Sequence, residues 1–285
     1  MNKKDINKIV SAFTACSELN VIHADKAISQ TVSGMRIFNK PLMGFGDADD
    51  SYFREFKKKS VIGKHHLLPG EWLPGARTVI SFFLPFTPSV KKGNRKDMSW
   101  PSEEWLHGRI EGQVFLNGLC KHLVEQLTDT GFRSIAPSID GRFRAYTGSS
   151  GSAADSGNNK QPTFTSNWSE RHAAFVCGLG TFGLSRGLIT AKGIAGRFGS
   201  VITEMRLVPD KRKYTGINEY CSMCGSCAKN CPVQTISVKK GKNHKPCSAF
   251  LDKTMEKFRP RYGCGKCQVA VPCESRIPGK KSEFL

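Results

Sequence analysis

Apolar residues recur along this chain with two periods, and the switches between them outline its elements. Ile6, Ile9, Val10, Phe13 and Leu19 fall near helical spacing and predict an amphipathic helix over 3–19, with Cys16 as a core residue on it. Residues 34–62 mix polar and apolar positions, and Gly44, Gly46, Asp47, Asp49 and Asp50 read as an acidic loop. The turn at Pro74-Gly75 leads into Thr78–Pro85, an unbroken run of β-branched and aromatic residues, which reads as a buried strand. Residues 88–101 are a polar, basic loop. Leu106, Ile110, Val114, Leu119, Leu123, Val124 and Leu127 predict a long helix over 103–129, stopped at Gly131, with Cys120 near its apolar face. Phe132 to Ile139 reads as a second strand, and strand, helix, strand favours an α/β layer. A serine cap followed by Glu170 predicts a helix from about Trp168. Leu188–Thr190 and Ser200–Leu207 flank Lys192-Gly193 and read as a β-hairpin.

Two stretches break the pattern. Residues 147–160 are almost wholly small and polar, which predicts a mobile loop and a candidate lid. Gly178-x-Gly180-x-x-Gly183 matches the dinucleotide fingerprint, but a helix rather than a strand precedes it. Glycines this dense instead let backbone approach a flat ligand closely.

Charge narrows the partners. Lys+Arg 43 against Asp+Glu 24 gives +19, which attracts polyanions such as nucleic acid and acidic redox proteins. The lysines are spread in short runs, including Lys239–Lys245, each read as a solvated loop. No basic recognition helix or aromatic platform stands out. Without a long apolar run, a membrane span is not expected. The first residues lack an apolar h-region, so a cytoplasmic location is expected.

The candidate chemistry lies near the end. Cys221, Cys224, Cys227 and Cys231-Pro232 form C-x2-C-x2-C-x3-C-P, the bacterial ferredoxin run, and Cys247, Cys264, Cys267 and Cys273 follow. Eight of the 11 cysteines lie here, enough for two 4Fe–4S clusters. In two-cluster ferredoxins the fourth cysteine of such a run ligates the other cluster. That rule groups Cys221, Cys224 and Cys227, and leaves Cys231 to join Cys247, Cys264 and Cys267. Cys273 is the eighth thiolate. Zinc prefers separated C-x-x-C pairs, and the triple run is unusual for it.

These residues, with Arg144-Ala-Tyr146, Glu170-Arg171, the 178–183 loop, Gly199-Ser200 and Tyr262-Gly-Cys264, resemble the cobalamin-dependent epoxyqueuosine reductases and, more distantly, the reductive dehalogenases. The likeness covers roughly residues 70–278. It implies an α+β protein: a nitroreductase-like cobalamin-binding core over 1–208 and a ferredoxin-like two-cluster module over 209–285. The implied corrin contacts are Tyr146, Gly178, Gly180, Thr181, Phe182, Arg197 and Ser200. The resemblance implies a reductase fed by an external low-potential donor such as ferredoxin or flavodoxin, with transfer RNA or an acidic protein as further partners.

Three departures stand out. The family's last cluster ligand falls at Val271 here, and Cys273 follows two residues later. Phe164 stands where the reductases carry an aspartate proton donor, leaving Asp140 or Asp155 as substitutes. The reductases' C-terminal helical extension has no counterpart before Leu285. The alternative function is an electron carrier or corrinoid activator with no transfer-RNA substrate. A redox-sensing nucleic-acid binder is a third reading, supported only by the charge.

Overall fold

The computed structural model describes residues 1–146 and 163–279. The lid candidate at 147–160, Asp155 and Lys280–Lys281 lie outside the described residues. The helices are α1 (Lys3–Cys16), α2 (Ser51–Glu55), α3 (Pro69–Trp72), α4 (Pro88–Gly93), α5 (Glu103–Thr128), α6 (Glu170–Val176), α7 (Ser226–Lys229) and α8 (His244–Phe258). The strands are β1 (Leu42–Asp47), β2 (Thr78–Pro85), β3 (Ser134–Ile135), β4 (Ala145–Tyr146), β5 (Thr165–Ser166), β6 (Gly180–Phe182), β7 (Leu188–Thr190), β8 (Gly196–Thr203), β9 (Ile236–Ser237) and β10 (Gly241–Lys242).

A four-stranded antiparallel sheet in the order β1-β2-β8-β3 organises the molecule. All eight residues of β2 are buried, because both faces of this central strand are covered. Ile80, Phe82 and Leu84 pack with Ile6 and Val10 of α1 and Phe115, Leu119 and Leu123 of α5. Val79 packs on the other side with Trp168, Phe175 and Val176 of the α6 region, and with Trp72. The alternation is the strand's own two-residue period.

Caps set the helix ends. Asn2 accepts from the Lys4 and Asp5 amides and Asp5 reaches back to Asn2, a capping box that starts α1. Ser102 accepts from Trp105 N at 3.3 Å, and Glu103 and Glu104 complement the start of α5.

Several expectations change. The first helix ends at Cys16, which is exposed. Its buried stripe is Ile6, Val10 and Thr14, and two residues beyond Thr14 the helix has turned roughly 200° away. The acidic loop contains strand β1, where Gly44 and Gly46 allow close approach: a Cβ at Gly44 would lie 2.4 Å from Cys177 O. The expected strand over 132–139 shortens to β3 and a 3-10 turn at Pro137–Ile139. The expected hairpin does not form. β7 pairs with β6, while β8 runs between β2 and β3. The glycine turn at Gly193 (φ +82) packs on the chain's last segment, where a Cβ would lie 2.3 Å from Glu274 O.

Candidate metal centres

The eight C-terminal cysteines divide between two cavities. Cys231, Cys247, Cys264 and Cys267 line one of about 230 Å³. Cys221, Cys224, Cys227 and Cys273 line a smaller one of about 20 Å³. Tight turns produce this division. Met223 (φ 52) and Gly225 (φ 78) curl the chain between Cys221 and the short α7, which carries Cys227. Gly263 and Gly265, also at positive φ, flank Cys264. A Cβ at Gly265 would lie 1.9 Å from the Trp105 ring of α5, so this turn admits no side chain there. Cys247 comes from the first turn of α8.

Cys273 reaches its cavity through a built segment. Ile194 N donates to Cys273 O at 2.9 Å, and Ala195 N to Glu274 O at 3.2 Å. The buried Glu274 carboxylate accepts from Arg95 Nε at 2.9 Å and from Ala270 N at 2.7 Å, and Arg95 Nη2 also donates to it. Ala270 takes a positive φ of 53°. Val271 is buried with Ile189 and Ile194. The turn therefore spends position 271 on packing and delivers the thiol two residues later.

Electrostatics fits a cationic guest better than free thiols. Burial pushes Cys227 up to about 11, and the charges of Cys267, Cys221 and Cys224 add to it. Burial likewise pushes Cys264 and Cys273 up to about 12, with Cys267 and Cys247 adding to the first and Cys221, Cys227 and Cys224 to the second. Thiols so placed ionise together only when positive charge joins them. Cys224 runs the other way: burial would raise it, but hydrogen bonding with Ser226, Ser222 and the backbone together lowers it. No three His, Cys, Asp or Glu side chains among the described residues are arranged around a single metal ion. Four thiols line each cavity, the ligand number of a four-iron cluster and of a tetrahedral ion alike.

Cations escaped the sequence reading. Lys242, taken as part of a solvated run, is half-buried in the lining of the larger cavity. Burial alone would lower its pKa, but Cys267 and Cys247 outweigh this and raise it. Its place between Cys231 and Cys247 was the available signal. Arg109 donates to Tyr262 OH at 2.7 Å and stacks on that ring. Lys266, between the C-x-x-C cysteines, is buried and donates to Asn94 O at 2.8 Å and Oδ1 at 2.7 Å.

The residues implied as corrin contacts sit as follows. Gly178 (φ +80) ends α6, its amide bonding back to Phe175 O at 3.2 Å. A helix C-terminus offers carbonyls rather than amides, which excludes the dinucleotide reading. A Cβ at Gly180 would lie 2.0 Å from Ile189 O, so the neighbouring strand occupies that space. Thr181 Oγ1 accepts from Tyr220 N at 2.8 Å, and Phe182 N donates to Ile217 O at 2.7 Å. This loop docks the segment that leads into Cys221. Arg197 lines the larger thiol cavity and donates to Gln113, its Nε buried without a partner. Ser200 accepts from Trp168 Nε1 at 2.9 Å, and Tyr146 meets the His65 ring edge-on at 5.2 Å. Among the described residues, no hydrogen bond, ion pair or ring contact joins Tyr146, Arg197 and the glycine run to one another.

The proton-donor question narrows. Phe164 stacks on His244 at 5.9 Å. Asp140 is held as a carboxylate by Arg142, whose hydrogen bond lowers its pKa. Glu170, carried by the resemblance but assigned no role, has both oxygens buried without a hydrogen-bond partner, and burial pushes its pKa up to about 8.

No family model matches the chain. It is 26% identical over 220 residues to an epoxyqueuosine reductase of Bacillus cereus, covering 70% of this chain and 49% of that protein. It is 43% identical over 68 residues to a tetrachloroethene reductive dehalogenase of Desulfitobacterium hafniense, covering 24% of this chain and 12% of that one. The chain thus spans about half the length of the former and about an eighth of the latter. An epoxyqueuosine reductase structure from Streptococcus thermophilus superposes with a TM-score of 0.54 at 16% identity, covering 96% of this chain and 66% of that one. A B12-dependent reductive dehalogenase structure gives 0.53 at 12%, covering 83% and 30%. Both share its fold of mixed helices and strands. Among the described residues, no helix is long and apolar enough to cross a membrane.

Proposed function

We propose that this relative of the epoxyqueuosine reductases and reductive dehalogenases is an iron–sulfur oxidoreductase carrying two 4Fe–4S clusters. The observation that carries the reading is the division of eight thiols into two quartets lining two cavities. Cys221, Cys224, Cys227 and Cys273 would hold the outer cluster, and Cys231, Cys247, Cys264 and Cys267 the inner. Each cluster, when bound, stores and passes one electron at a time. Cys227 of one quartet packs in the same apolar group as Cys231 and Cys267 of the other, with Leu184 and Ile236, which supports a short path between the quartets. Lys242, Arg197 and Arg109 would offset the negative charge of the inner cluster.

The relatives support cobalamin as the group that receives these electrons and supplies the hard chemistry. Its proposed contacts are Tyr146, Gly178, Gly180, Thr181, Phe182, Arg197 and Ser200. We take residues 1–208 as a nitroreductase-like body and 209–285 as the ferredoxin-like module. Phe164 cannot donate a proton and Asp140 is held as a carboxylate by Arg142, which fits equally well a second reading: a protein that delivers electrons to another protein's corrinoid. The +19 charge suits an anionic partner, whether transfer RNA or an acidic protein.

Anaerobic reconstitution with iron, sulfide and cobalamin tests both readings. About eight irons with one corrinoid supports the reductase, and about eight without corrinoid supports the carrier. Iron-free protein ends both. Cys273→Ala is expected to perturb one cluster only, leaving about four irons in the inner site.

A further inference from the structure

The outer quartet meets the surface at one place. Of the eight cluster cysteines, Cys224 alone is exposed. Beside it, Met223 is 44% and Val238 52% exposed. These belong to one patch: a Cβ at Gly225 would lie 3.8 Å from Val238 Cγ2, and α7 packs on β9. Lysines rim it. Lys229 ends α7, and Lys239 and Lys240 form the turn between β9 and β10, their amides donating to Ser237 Oγ at 3.3 and 3.4 Å. All three are exposed. From Tyr220 to Leu251 the chain carries five lysines and no aspartate or glutamate. An apolar centre with a cationic rim is a docking surface for an oppositely charged protein.

We infer that Met223, Cys224 and Val238, rimmed by Lys229, Lys239 and Lys240, form the face where an acidic one-electron carrier protein docks. The inference rests on the two-cluster reading and adds the face through which the electron enters. A reduced carrier docked there would lose one electron to the outer cluster, when bound, which would pass from the 2+ to the 1+ state with no bond or proton transferred. The lysines offset both the carrier's acidic surface and the negative charge of the loaded cluster. Charge at such a rim acts mainly on the rate of encounter, so its effect fades with salt.

The test uses the reconstituted full chain with a reduced acidic plant-type ferredoxin as probe, in stopped flow. Iron content and the reduced-cluster EPR signal are measured first, so that loss of clusters counts against the two-cluster reading and not against the face. Lys239→Glu with Lys240→Glu is expected to slow the second-order reduction at least tenfold at low salt and to flatten its salt dependence. Val238→Glu should act in the same direction. Lys4→Glu with Lys8→Glu on α1, which packs on α5, should leave the rate unchanged. Titanium(III) citrate should reduce all variants alike within about twofold. An unchanged rate in the Lys239/Lys240 variant, or an equal loss in the α1 variant, would overturn the inference.

Discussion

Glu170 places a carboxyl where water does not reach. Trp168 Nε1 donates to Ser200 Oγ at 2.9 Å, and neither Glu170 oxygen has a hydrogen-bond partner. Burial raises the Glu170 pKa from 4.5 to about 8, so the group is protonated at neutral pH. A raised folded-state pKa means that the native protein holds a proton the unfolded chain has released. The contribution is full below the unfolded value and is lost as pH climbs through the folded one. Stability should therefore fall between roughly pH 4.5 and pH 8. Glu170→Gln keeps the shape and removes the titration. Urea unfolding of both proteins near pH 5 and near pH 9 should show a wild-type loss that the Gln variant lacks. Parallel curves would mean that Glu170 is ionised and solvated. Cys273 is placed by contacts from far along the chain. Its thiol was legible as the eighth of a set, but the Arg95–Glu274 contact that holds its segment joins residues 179 apart and left no local pattern.

Elements were legible where one period dominated. The long helix α5 and the buried strand β2 both follow their predicted spans closely, because a strongly apolar stripe or run admits few alternatives. The hairpin misreading has a physical cause. Leu188–Thr190 is three residues long and wholly buried, so it carries no alternation to say which partner it takes. Its true partner is fixed by Gly180, whose missing side chain lets Ile189 O approach. Gly180→Ala should force β6 and β7 apart and loosen the Tyr220 anchor on Thr181. A loss of about 3 kcal/mol or more is expected in chemical unfolding, with reduced iron uptake. Gly279→Ala, whose Cβ would meet nothing within 4 Å, is the control and should change neither. Normal iron uptake by a destabilised Gly180→Ala protein would uncouple the ribbon from the cysteine segment.

Across the whole molecule, apolar burial is uneven. The sheet carries two large cores, one with α1 and α5 and one with α6 and the aromatic group around Trp168. Around the cysteines the buried apolar residues shrink to two small groups, Leu184 with Ile236, and Ile189, Ile194 and Val271. Cores this small stabilise little on their own, so metal–thiolate bonds would hold the segment together. The segment is still tied to the body: Trp100 stacks on Phe250 at 5.5 Å, and Asn94 Nδ2 donates to Cys264 O at 2.9 Å. Chelating the iron should therefore loosen one part and spare the other. Hydrogen exchange is expected to rise across residues 221–279 while Val79–Leu84 and Val201–Thr203 stay protected. Lowering pH should help the chelator, since thiolates released from the metal take up protons readily where burial has raised Cys264 and Cys273 to about 12. Uniform loss of protection would show that the sheet depends on the clusters. Uniform retention would show that Trp100, Asn94 and the Arg95–Glu274 contact suffice to keep the thiols in place without metal.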